Sequence, residues 1–150
     1  MADIKSPKER SLNMAKIRSK DTKPEVWLRT KLFERGYRYR KYVNTIPGHP
    51  DIWIAKYNTA VFVHGCFWHR HEGCKYAYTP KSRVEFWTEK FQKNVERDKV
   101  IRVELADIGV RMLIVWECTI KRMIKEETVR ENCLKHIDQF LLSTSLYEEI

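Results

Sequence analysis

At 150 residues with 43% hydrophobic content, the chain has the size of one domain and enough apolar side chains to bury a core. Its formal charge of +9 is lopsided, since residues 1–44 hold 13 Lys+Arg against 5 Asp+Glu while residues 45–150 hold 16 against 15. Such a basic block suits a polyanion, and with no signal-like leader and no apolar run long enough to span a bilayer, the composition excludes a helical membrane protein and predicts a soluble, cytoplasmic one.

Residues 1–21 are polar and basic without clean periodicity, which predicts a DNA-binding arm with one short helix around Ser11 to Ile17. Thr22-Lys23-Pro24-Glu25 reads as a capping box with Pro in the first turn, and Val26, Leu28, Leu32 and Phe33 carry an apolar face to the stop at Gly36. Tyr37 to Val43 alternates as a half-exposed strand, and Asn44 to Pro50 is a Pro/Gly loop. Asp51 to Lys56 and Thr59 to His64 read as two strands around a tight turn at Tyr57-Asn58, a register that sets Asp51 opposite His64. After an irregular stretch, Arg83 to Ile108 predicts a long helix with Trp87, Phe91, Asn94, Asp98, Ile101 and Leu105 on one stripe. Val110 to Trp116 is a buried strand, and residues 126–142 form a last amphipathic helix. The expected order is α-β-β-β-α-β-α in one α/β domain over residues 1–150.

Aromatic residues crowd residues 62–91, among them Phe62, Phe67, Trp68, Trp87 and Phe91, and flat rings beside positive charge suit stacking on or wedging between bases. Cys66, His71 and Cys74 follow C-x4-H-x2-C in the irregular loop, and Cys118 follows the buried strand. In a reducing compartment these four match the Cys3His set of a closed structural zinc site, although buried free cysteines and a surface histidine also fit the spacing. Cys133, mid-helix among apolar positions, reads as core.

Asp51, at a strand start, with His64 and His69 behind it, makes a candidate site for a hard metal ion and a general base. Asp98 points from the packed stripe of the long helix and needs a partner. A histidine held by that carboxylate in one tautomer is a competent base, with a plain ion pair to Arg102 or Lys90 as the other option. Taken alone, Glu25 completes the capping box.

Asp21-Thr22, Glu25, Pro47-Gly48-x-Pro50-Asp51, His64-Gly65-Cys66-Phe67-Trp68-His69, Glu85-Phe86-Trp87, Lys93 to Asp98 and Val115-Trp116-Glu117-Cys118, together with Asn13-Met14, closely resemble the very short patch repair (Vsr) endonucleases. These nick DNA at T·G mismatches produced by deamination of 5-methylcytosine. The resemblance implies a restriction-endonuclease-like fold, a central mixed β-sheet flanked by helices, with a structural zinc at Cys66, His71, Cys74 and Cys118. It implies Mg2+ held by Asp51 and the main-chain carbonyl of Val63, with His69 as general base oriented by Asp98, and His64 and Glu25 completing the catalytic set. Phe67, Trp68 and Trp87 correspond to an aromatic wedge and Met14 to a minor-groove contact. The implied partner is double-stranded DNA with a T·G mismatch, bound by a monomer, with mismatch-repair proteins as further partners.

The chain departs from the family at Val63, where members can carry Thr, and in a loop one residue longer before Cys74. It also lacks the second acid and lysine of ordinary restriction nucleases after Asp51. Two other functions remain open from the residues alone: a zinc-containing DNA-binding module without catalysis, and a restriction-like enzyme cutting both strands.

Overall fold

The computed structural model describes residues 20–150. Met14 and the short helix expected around Ser11 to Ile17 lie outside the described residues. The first described helix, α1 (Lys23–Glu34), starts where the sequence sets it: the Thr22 hydroxyl accepts the Glu25 N–H at 3.5 Å and Pro24 sits in the first turn. The capping box stays half-formed. Instead of turning back to Thr22, the Glu25 carboxylate accepts the N–H of Asp21.

Five strands follow as one mixed sheet in the spatial order of the chain, namely β1 (Arg40–Lys41), β2 (Ile52–Ile54), β3 (Thr59–His64), β4 (Arg111–Trp116) and β5 (Tyr147–Glu149). The first two pairings are antiparallel and the last two parallel. Between β3 and β4 runs the long helix α2 (Val84–Asp107), and between β4 and β5 run α3 (Glu117–Lys125) and α4 (Glu127–Leu142). Because successive strand residues point to opposite faces, the sheet has two cores. Ile52, Ile54, Val61, Leu113 and Val115 meet α1, α3 and α4 on one face. Trp53, Ala60, Phe62, Met112, Ile114 and Trp116 meet Leu105 of α2 on the other.

Four expectations are corrected. The β2–β3 connection is not a two-residue turn, because Ala55–Tyr57 forms a 3-10 turn and Asn58 takes φ 50, so Ile54 pairs with Thr59 and Ile52 with Val61. Asp51 therefore does not face His64; the ladder shifts by two residues, which keeps every side chain on its expected face. The strand expected over Tyr37 to Val43 is only Arg40–Lys41, since Tyr42 has φ +50 and breaks the extended run. Helix α3 and strand β5 were not expected, the first because it follows β4 with no Gly or Pro between them, the second because it is a short polar edge strand.

Buried Arg111 opens β4, ahead of the apolar run Met112 to Trp116. Its guanidinium donates to the carbonyls of Phe140, Leu141 and Ser145, so it closes the C-terminal end of α4 and the turn leading to β5.

Candidate active site

The loop before β2 is pressed against the core. A Cβ on Gly48, at φ +82, would come within 2.7 Å of Ile101 and 3.0 Å of Phe62, so only glycine permits this approach. The loop delivers Asp51 beside β3, where its Oδ2 accepts the Val63 N–H at 2.8 Å. Strand β2 begins at Ile52, so this side chain takes over the ladder where the backbone pairing stops. A strand residue presents its N–H and C=O to the same side, so the Val63 carbonyl lies on the edge that carries Asp51.

His64 ends β3 and is 5% exposed. Its ring stacks on that of His69 with centroids 3.8 Å apart and planes within 5°. His69 is returned to this position by a tight turn in which its N–H bonds the Gly65 carbonyl. On its other side His69 meets the long helix, with Nδ1 2.7 Å from Oδ2 of Asp98. One turn earlier on α2, Asn94 donates to the Trp68 carbonyl at 3.1 Å, so the helix holds the loop at two successive residues. Asn94 was legible only as a member of the packed stripe.

Asp51, Val63, His64, His69, Asp98 and Glu25 line one recess of about 310 Å³. His64, His69 and Asp98 also wall a second, larger recess of about 540 Å³. Burial pushes the Asp51 carboxyl up to about 7, opposed by the Val63 N–H and assisted by the negative charge of Glu25. Burial and the neighbouring His69 hold His64 down to about 3, so it is neutral at physiological pH. The buried Glu25 carboxylate and the partly buried Asp51 carboxylate, near one strand-edge carbonyl, form an oxygen-rich pocket that suits a hard cation.

A second cluster is built from the loop after β3 and the start of α3. One ligand atom each from Cys66, His71, Cys74 and Cys118 falls within 4.8 Å of the others, with His71 Nδ1 3.6 Å from Cys66 Sγ and 3.4 Å from Cys118 Sγ. A tetrahedral ion bound by thiolates at about 2.3 Å and an imidazole at about 2.1 Å spaces its ligands roughly 3.5–3.8 Å apart, so the cluster can hold a metal. Cys118 is in the first turn of α3, and the His71 ring is stacked on Trp116 at 4.1 Å. Burial pushes the Cys66 thiol up to about 12. Cys133 packs at the margin of the core over α4, as expected.

Phe67, Trp68 and Trp87 form a contiguous cluster, with centroid separations of 5.1, 5.5 and 5.8 Å, and Phe91 backs it. Arg70 orders this surface. It donates to the carbonyls of Phe67, Ala77 and Tyr78 and lies 3.8 Å from the Phe91 ring centroid. Arg70 and Tyr42 were missed in the sequence, where nothing separates them from the other basic and aromatic residues.

The family model for DNA mismatch endonuclease Vsr matches residues 2–75. The chain is 50% identical over 121 residues to the type II nicking enzyme V.NmeAIP of Neisseria meningitidis, covering 81% of this chain and 86% of that one. It is 40% identical over 134 residues to the type II nicking enzyme V.XorIIP of Xanthomonas oryzae, covering 89% and 98%. With the DNA mismatch endonuclease Vsr of Escherichia coli it shares 38% identity over 141 residues, covering 94% and 88%. The match to the Escherichia coli enzyme is long enough to span both clusters and α2, and the chain belongs to the Vsr family of endonucleases.

Proposed function

We propose that this protein nicks one strand of duplex DNA 5′ of the mismatched T at T·G pairs left by deamination of 5-methylcytosine, acting as a monomer with a restriction-endonuclease-like fold and with Mg2+ as cofactor. The observation that carries the reading is the convergence of Asp51, His64, the His69–Asp98 pair and Glu25, from four separate segments, on one recess beside the aromatic cluster.

In this mechanism Asp98 accepts the Nδ1 proton of His69, which leaves Nε2 as the acceptor facing a water. Nε2 takes the proton as the water oxygen attacks phosphorus and the bond to the 3′ oxygen breaks. Neutral His64 keeps the His69 ring in plane by stacking without adding a competing charge. Mg2+, held by Asp51 and the Val63 carbonyl, would neutralise charge on the attacking and leaving oxygens. Zn2+, held by Cys66, His71, Cys74 and Cys118, would tie the His69 loop to α3.

Phe67, Trp68 and Trp87 supply rings that can wedge into a base step. A T·G pair is deformed more easily than a matched pair, so insertion there costs less, and recognition follows from deformability. Met14, outside the described residues, is assigned the minor-groove contact.

The purified protein with magnesium is expected to nick one strand of a T·G duplex and leave the T·A duplex intact, read on a denaturing gel. Equal cutting of both duplexes sinks the mismatch reading, and cutting of both strands favours a restriction-like enzyme. Asp51→Ala and His69→Ala should abolish nicking while DNA binding persists; an inert unmutated protein that still binds DNA would leave a binding module.

A further inference from the structure

Glu25 is 4% exposed, yet its own helix does little to hold its carboxylate. Oε2 receives the Tyr42 hydroxyl at 2.6 Å and the Asp21 N–H at 3.1 Å, and Arg29 lies 3.7 Å away. Arg29, itself 6% exposed, donates to Asp21 Oδ1 at 2.7 Å and to the Tyr42 oxygen at 3.1 Å. The tyrosine oxygen accepts from the Asp21 N–H at 2.6 Å. Its single proton has two possible acceptors, Glu25 Oε2 at 2.6 Å and Asp21 Oδ1 at 3.2 Å, and the shorter bond takes it. The contacts that reach the Glu25 carboxylate, from Tyr42, Asp21 and Arg29, all fall on Oε2, so Oε1 has no protein hydrogen-bond donor among the described residues.

The backbone on both sides is held out of its ordinary range. Asp21 has φ +55 and Tyr42 φ +50, a left-handed conformation that an aromatic residue rarely adopts. Both outliers meet at one carboxylate. That carboxylate lines the recess of Asp51, Val63 and His69, and its charge acts on Asp51. A helix-capping role would need neither the tyrosine nor the strained segments, since the Thr22 hydroxyl already caps α1.

We propose that Tyr42 is a positioning residue of the nuclease, its hydroxyl fixing the Glu25 carboxylate through Oε2 so that Oε1 is presented to the reacting groups beside Asp51. The inference rests on the endonuclease reading, in which Glu25 belongs to the reaction centre. Asp21 and Arg29 complete the clamp by holding the tyrosine hydroxyl from the opposite side.

The test uses Tyr42→Phe, which keeps the ring and removes the bond, with Glu25→Ala and the double variant. Single-turnover nicking of the T·G duplex at saturating DNA is expected to fall roughly tenfold in Tyr42→Phe, as for loss of one hydrogen bond to a charged group, with DNA affinity unchanged. In the Glu25→Ala background the same substitution should have no further effect on the residual rate. An unaltered rate in Tyr42→Phe, an unaltered rate in Glu25→Ala, or an equal loss with and without Glu25 overturns the inference alone. Failure of the unmutated protein to nick the T·G duplex overturns the endonuclease reading with it, so the two failures are separated by the unmutated lane.

Discussion

Asp51 is placed where its chemistry conflicts with its stability. The folded protein raises its carboxyl to about 7 against an ordinary 3.8, chiefly by burial. Between those values the unfolded chain has released the proton and the folded chain retains it. The contribution of this carboxyl to stability therefore falls as pH rises from about 4 to about 7 and is flat above. Asp51→Asn removes the buried charge and keeps an oxygen to accept the Val63 N–H. Without added magnesium, this variant should be more stable than the unmutated protein at pH 8, by on the order of 2 kcal/mol after allowance for solvent screening. The gain should shrink toward pH 4 and vanish as the wild-type carboxyl keeps its proton in both states. Melting curves across that pH range check it, and an Asn variant no more stable at pH 8 would refute the sign. At the same scale, Asp51, His69, Asp98 and the cysteines were legible because their residue types are uncommon at such spacings. Tyr42 and Arg70 were not, because Tyr42 acts through bonds to side chains on another segment and Arg70 through carbonyls of its own irregular loop, and sequence encodes neither these contacts nor the local φ values one residue at a time.

Among the elements, the loop between β3 and α2 has little apolar core of its own. What fixes it is attachment at four places: the Cys/His cluster to α3, Asn94 to the Trp68 carbonyl, Asp98 to His69, and Arg70 to the carbonyls of Phe67, Ala77 and Tyr78. The Cys118 thiol is the attachment that reaches outside the loop to α3. Cys118→Ser should lower the zinc content from about one ion per chain, as for a four-ligand structural site, and reduce the melting temperature by several degrees. Nicking should fall with it, because Phe67, Trp68 and His69 lie between the cluster's ligands. Elemental analysis with calorimetry decides this; full zinc with an unchanged melting temperature removes Cys118 from the set. Helices α1, α2 and α4 and strands β3 and β4 were read from sequence almost to the residue, α2 above all, because a stripe from Trp87 to Leu105 has no competing interpretation. The β2–β3 register was not, since a 3-10 turn ending in Asn58 looks in sequence like a two-residue hairpin loop. Helix α3 escaped for a related reason, in that no breaker divides it from β4.

At the scale of the whole molecule, the packing of the sheet and the distribution of charge along the sequence act on different steps. The sheet is packed on both faces, so the recess with Asp51 and His69 is backed by a core that gives it little freedom to shift. In the sequence the basic excess is concentrated before residue 45. Residues 1–44 hold 13 of the 29 Lys+Arg against 5 of the 20 Asp+Glu, and five of those cations (Lys5, Lys8, Arg10, Lys16 and Arg18) precede the described residues. Removing residues 1–19 is expected to spare the fold, since it leaves in place every core residue among the described ones. It should weaken binding to matched and mismatched duplexes alike, because cations on phosphates carry little sequence information. Each phosphate left without its cation makes the slope of log K against log salt shallower by about 0.9, so five cations bound a reduction of roughly 4 to 5. A salt series of binding isotherms measures that slope directly. If truncation instead changes affinity only for the T·G duplex and leaves the slope intact, the segment reads the mismatch by shape or base contact, and its positive charge is not the reason it binds.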